Sequence, residues 1–213
     1  YNSTGSDGAL ELREPKWDDL GDNGGDGEWQ VNTTTYLASH PEINIVIWSW
    51  CSQVTSATES YINTYLDNMN NLESLYPDVT FVYMTGHLDG TGVNGNLHLR
   101  NEQIRTYCIN NNKILFDFED IESYDPDGIY FGDKHPTDGC NYDYNGDGYT
   151  SQTGDPATPI SPDRNWAIDW QNSHTQGTDW FDCDSAHTQP LNANMKAYAA
   201  WWMWARIAGW DGL

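Results

Sequence analysis

Along this chain the hydrophobic positions change period several times. INIVIWSW, residues 43–50, is a continuous apolar run rich in β-branched side chains, the pattern of a strand buried on both faces, and it predicts a central strand. From Ala57 to Tyr76 the period lengthens: Tyr61, Ile62, Tyr65, Leu66, Met69, Leu72 and Leu75 recur mostly at threes and fours, which marks one face of a helix. VTFVYM, residues 79–84, predicts a second strand, followed by the glycine-dense loop TGHLDGTGVNGN. LRNEQIRTYCINN, from about Leu99, returns to helical spacing before a third strand, KILFDF, residues 113–118. The closing helix, from Asn192 to Ala208, carries Met195, Tyr198, Ala199, Trp202 and Arg206 at helical intervals, and Gly209 is placed to stop it.

Strand, helix, strand, helix, strand implies parallel pairing with right-handed crossovers. The expected fold is α/β: one domain over residues 1–213, a three-layer, flavodoxin-like sandwich around a short parallel sheet. Between residues 119 and 183 the periodicity lapses, far beyond ordinary loop length, so an irregular insertion is expected there, held by something other than regular pairing. One motif within it supplies a candidate. DYNGDG, residues 143–148, sets Asp143, Asn145 and Asp147 at alternate positions before Gly148, the first half of an EF-hand-type loop. A hard cation needs several oxygens, and alternation turns them to one side. The twelfth position is Gly154 rather than Glu, so the expected structural Ca2+ site is completed by the Tyr149 carbonyl and Asp155. An Asp/Asn/Gly turn without an ion is the alternative.

Charge narrows the partners. Nine Lys and Arg against 32 Asp and Glu give a formal charge of −23, a field that repels a phosphate backbone, so no nucleic-acid partner is expected. No stretch approaches the roughly 20 apolar residues of a membrane span, and the first residues lack the regions of a signal peptide, so a soluble, already processed chain is expected. Four cysteines without CxxC spacing favour disulfides over zinc and point to a secreted or extracellular setting, four buried thiols being the alternative. Eleven Trp and thirteen Tyr also suit a surface that faces sugars. An oligomer is compatible with this composition.

In a parallel α/β sheet ligands gather beyond the carboxyl ends of the strands. The segments following the three strands carry Ser49 and Gln53 in SWCSQ, His87 and Asp89 in TGHLDG, and Glu119 and Asp120 in FEDIE, the last reading as a solvated turn. CDSAHTQP, just before the closing helix, holds Asp184 and His187 three residues apart. If that helix packs back on the sheet, His187 reaches the same edge as a general base, with Asp184 fixing its tautomer; Ser49, Gln53, His87 and Asp89 then line the pocket.

The succession of buried strand, helix, VTFVYM, LRNEQIR, KILFDF and DSAH before QPLNANMKAYA resembles the SGNH (GDSL-like) hydrolases over residues 43–118 and 183–208. WSWCSQV, FVYMTGHLDGTG, KILFDFEDIESYDPDG and LNANMKAYAAWWMWARIAGW also resemble a group of secreted bacterial proteins of this kind. The resemblance implies a secreted esterase, acting on esters such as acetylated carbohydrate, with Asp184 and His187 completing a triad. The family's nucleophile strand has no counterpart before residue 43, where the serines are Ser3, Ser6 and Ser39, and SWCSQ stands in place of the GxND oxyanion element. Either that strand belongs to a segment outside this chain, or the protein is a non-catalytic extracellular carbohydrate-binding or assembly protein on the same fold. On this layout Cys51 ends the first strand and Cys108 lies in the helix leading to the third, while Cys140 and Cys183 bracket the insertion. The expected disulfides are therefore Cys51 with Cys108 and Cys140 with Cys183, other connectivities remaining open.

Overall fold

A computed structural model describes residues 4–14, 28–151 and 158–212. Three strands, β1 (Ile45–Ile47), β2 (Thr80–Met84) and β3 (Ile114–Phe116), form a parallel sheet in the order β1-β2-β3. Val46 pairs with Phe81, and Tyr83 with Leu115. The central strand is β2, not β1: Phe81, Val82, Tyr83 and Met84 are all buried, whereas β1 is an edge strand with Ile47 40% exposed. The apolar run at 43–50 is longer than the strand it forms, because Trp48 and Trp50 spend their rings on helix contacts outside the ladder. Trp48 meets Trp29 edge-on and donates to Thr33 Oγ1, while Trp50 packs on Tyr65 and donates to the Met84 carbonyl.

Helix α1 (Glu28–Ser39) buries Trp29, Thr33 and Leu37. It escapes a hydrophobic-period reading because its middle contact is a threonine. After the short α2 (Gln53–Ser56), α3 (Glu59–Leu75) starts at Thr58, whose side chain accepts the Tyr61 N–H as an N-cap. It buries Ile62, Tyr65, Leu66, Met69 and Leu72, five of the seven residues read as its apolar face. Helix α4 (Asn96–Asn110) buries Leu97, Asn101, Ile104 and Cys108, so its inward stripe includes an amide that sequence periodicity does not mark. Helices α3 and α4 pack on each other and on β2, and α7 (Pro190–Ile207) supplies Met203, Ala199, Ala200, Trp204 and Ile207 to the same core, completing the three layers. Pro190 opens α7 at a position where no backbone N–H is needed, and Gly209, at φ 96°, lies just past its end.

The segment 119–183 is less irregular than its sequence suggests. It contains α5 (Phe118–Glu122), the antiparallel pair β4 (Asn141–Tyr142) and β5 (Arg164–Asn165), and α6 (Trp166–Ser173). Phe131, Cys140, Tyr142, Trp166, Ala167 and Trp170 form a second core closed by Leu191 of α7. Neither expected disulfide is formed; all four cysteines are free thiols. Cys108 is buried in the α3–α4 core while Cys51 is exposed beside α2. Cys140 is buried against Thr188 Oγ1 at 3.5 Å, whereas exposed Cys183 approaches the Pro190 carbonyl and the Asn194 amide. Asn192, which contacts Thr188, and Asn194 are two residues apart and so stand on opposite sides of α7. Packing around Trp166, rather than a Cys140–Cys183 bridge, holds the insertion.

Candidate functional site

The carboxyl ends of β2 and β3 open onto a buried, hydrogen-bonded network of charged and polar side chains. Thr85, fully buried, donates to Asp117 Oδ1 at 3.0 Å and accepts the Glu119 N–H. Asn101 bridges the chain on both sides of the turn: its Oδ1 accepts the Gly86 N–H, and its Nδ2 donates to the Gly86 carbonyl and to Glu119 Oε2. No side chain fits at Gly86, where a Cβ would stand 2.8 Å from Val54. Arg105 grips Asp117 with two bonds of 2.6 and 2.7 Å and reaches Glu119 Oε2 at 2.9 Å. Burial opposes charge on the Arg105 guanidinium, but Asp117 and Glu119 more than offset it and push its pKa up.

FEDIE is therefore not a solvated turn. Glu119 is 5% exposed, and Glu122 is wholly buried. Glu122 accepts the Leu88 N–H at 2.8 Å through Oε2 and pairs with Lys196 Nζ of α7 at 2.5 Å through Oε1. Burial drives its carboxyl above the usual range, and Lys196 only partly restores it. Asp120 is also pushed up, by burial and by the neighbouring charge of Asp117.

The residues expected at this edge divide. His87 lies there, a fifth exposed, with Nδ1 3.0 Å from the Leu88 carbonyl and 3.9 Å from Asp138 Oδ2. Asp89 holds Thr91 through one oxygen, while its other oxygen, buried, has no hydrogen-bond partner among the described residues. The DSAHT turn meets this region through Asn192, whose Nδ2 donates to the Asp138 carbonyl and to Thr188 Oγ1. Asp184 and His187 themselves are exposed, no hydrogen bond joins them, and His187 sits at φ 60°. Gln53 turns back onto the chain that precedes α2, its Oε1 accepting the Cys51 N–H. Ser49 is exposed in a groove along β1 that is also lined by residues 8–14 and by Trp201 and Trp204.

A better-formed imidazole–carboxylate pair lies between α4 and α5. His98 Nδ1 lies 2.8 Å from Glu119 Oε1, and Glu119 is the carboxylate that Arg105 and Asn101 hold from its other oxygen. No sequence signal marks this pair, because the two residues are 21 apart and meet only where α4 passes α5. Burial pushes the Tyr130 phenol up, with smaller contributions from Tyr124, whose ring lies 5.0 Å from it, and from Glu119.

The DYNGDG loop is built as a series of Asx turns. Asp143 Oδ1 accepts the Gly146 and Asp147 N–H groups, and its Oδ2 accepts that of Gly148. Burial would raise this carboxyl, but the three backbone donors outweigh it and hold it below its usual value. Asn145 donates to Asp147 Oδ2, and Asp147 Oδ1 accepts the Tyr149 N–H. Asp155 lies outside the described residues. Asp163 is the carboxylate that the fold brings to the loop: it is buried and accepts from Tyr144 at one end and Ser151 at the other. Among the described residues no three His, Cys, Asp or Glu side chains converge as a metal cluster, so a cation here would also depend on the Asn145 amide and on backbone carbonyls.

Among the described residues no helix is long and apolar enough to cross a membrane. No family model, curated protein or solved structure matches the chain.

Proposed function

We propose that the chain is an SGNH-like hydrolase acting outside the cell on esters, with acetylated carbohydrate the preferred class. The observation supporting this reading is the convergence of His87 and the DSAHT turn, joined through Asp138 and Asn192, beyond the carboxyl end of β2. An imidazole at that edge can take a proton from an attacking oxygen and return it to the leaving alcohol. With p-nitrophenyl acetate as substrate, His187→Ala is expected to lower kcat by about 100-fold or more. No turnover in either protein overturns this reading; equal rates in the two remove His187 as its base and leave that role to another imidazole at this edge.

A second reading is favoured by a specific observation. Asp184 and His187 are exposed and not hydrogen-bonded to each other, while Tyr198, Trp201 and Trp202 present a half-exposed aromatic face on α7. Such a face suits a non-catalytic extracellular protein that binds glycans. Retention on immobilised polysaccharide with no ester turnover is the outcome this reading expects.

We also propose that the DYNGDG loop binds Ca2+ through Asp143, Asn145, Asp147, the Tyr149 carbonyl and Asp163. Two buried carboxylates already fixed by backbone N–H groups support it, since little further ordering is needed on binding. At a concentration 100 times its Kd the ion stabilises the fold by about 2.7 kcal/mol. For a chain of this size that corresponds to a rise in Tm of about 5–10 °C. Thermal melts with CaCl2 and with EGTA measure it, and Asp143→Ala is expected to abolish the difference; identical melts with and without calcium in the parent count against the site.

A further inference from the structure

His98 and Glu119 form a proton-transfer pair with the features a general base requires. The Glu119 backbone is anchored by its N–H to Thr85, and its Oε2 is held by Arg105 at 2.9 Å and Asn101 at 3.0 Å. Only Oε1 remains, and it faces His98 Nδ1 at 2.8 Å. A carboxylate accepts and does not donate, so in the neutral imidazole the ring proton sits on Nδ1 and the lone pair on Nε2. The His98 side chain is 24% exposed, so water reaches the ring. Asp184 and His187 lack this arrangement: both are exposed, and no hydrogen bond joins them.

We infer that His98 is a general base that activates water directly, held in its working tautomer by Glu119, so that ester cleavage at this edge needs no serine nucleophile. The inference rests on the ester-hydrolase reading but assigns its base to His98 in place of His187, so under it His187→Ala keeps the parent rate. Nε2 takes a proton from water as the water oxygen bonds to the acyl carbon, giving a tetrahedral intermediate. The intermediate expels the alkoxide as the carbon–oxygen ester bond breaks, and the proton passes from Nε2 to that alkoxide. Water and ester are consumed, acid and alcohol are released, and the imidazole is regenerated neutral. Glu119 acts through His98 and is a positioning residue.

Three measurements on the full chain test this. With p-nitrophenyl acetate, His98→Gln is expected to lower kcat by about 100-fold or more with KM little changed, and Glu119→Gln by about tenfold or more. Long-range 1H–15N correlation spectra are expected to show His98 as the Nδ1–H tautomer in the parent, with that preference lost in Glu119→Gln, a change that a purely structural role for Glu119 would not produce. A serine-directed fluorophosphonate is expected to leave the protein unlabelled and active. Full turnover in a folded His98→Gln, an Nε2–H tautomer in the parent, or inactivation by the fluorophosphonate each overturns the inference while leaving the hydrolase reading standing. Absence of turnover in the parent overturns both.

Discussion

Lys196→Met is expected to destabilise the protein by about 3–5 kcal/mol, the usual consequence of removing one partner from a buried ion pair. Glu122 is wholly enclosed, and Lys196 is the cation against it, resting also 4.3 Å above the Phe118 ring. Methionine keeps the volume and the contact with Phe118 but leaves the carboxyl in a low-dielectric site with only the Leu88 N–H. The loss should depend on pH in a defined direction. Burial raises the Glu122 carboxyl in the folded chain, so as pH rises the unfolded chain releases that proton first. The stability linked to Glu122 is present in full below the ordinary carboxyl value of about 4.3 and is lost as pH rises through the folded value. Without Lys196 the folded value moves higher still. Urea melts of parent and variant should therefore differ little in acid and increasingly toward neutrality, and a difference constant across that range would show that Glu122 is not held as an uncompensated charge. Because the Leu88 N–H hangs on Glu122, the same variant is expected to loosen the loop that carries His87.

The second large effect concerns the insertion. Trp166 is 2% exposed, stacks on Phe131 at 5.7 Å between ring centroids, and sits at the centre of the small core closed by Leu191. Truncation to alanine removes most of the apolar surface holding the segment together, and about 3–5 kcal/mol is expected from the lost burial and the cavity. The two cores are distinct clusters, so the damage should be local in the first instance. Hydrogen exchange on Trp166→Ala is expected to show lost protection around residues 131–142 and 164–174, with the amides of Val82 and Tyr83 still protected. Uniform loss across both regions would instead mean that the insertion and the sheet unfold as one unit.

What could be read without the structure follows from which interactions are local. The helix over residues 57–76 was legible because Ile62, Leu66, Met69 and Leu72 all turn to one apolar face, a property of spacing alone. VTFVYM and KILFDF were legible as strands for a similar reason, and the parallel order followed from the helices between them. The centrality of β2 was not legible, since the run at 43–50 is as apolar as a central strand and its tryptophans pack against helices instead. Helix α1 is not legible in the sequence because Thr33 occupies its inner face, its hydroxyl spent on the Trp29 carbonyl and the Trp48 indole.

The site divides along the same line. His87 could be named from a polar loop following a strand, and Asp143, Asn145 and Asp147 from their alternation, because both signals lie within a few residues of chain. Asp163 could not be named: 20 positions separate it from Asp143, and only the pairing of β4 with β5 brings it to the loop. Glu119 and Glu122 read as solvent-facing carboxylates until Arg105, Asn101 and Lys196 arrive from α4 and α7 to make their burial tolerable. The sequence by itself determined the α/β order, the helix faces and the acidic character, all set by composition and by periods of two to four residues. Only the tertiary structure decided which carboxylates are buried, which histidine meets one and which cysteines stay apart, because charge pairing and imidazole orientation depend on contacts between segments that chain spacing does not encode.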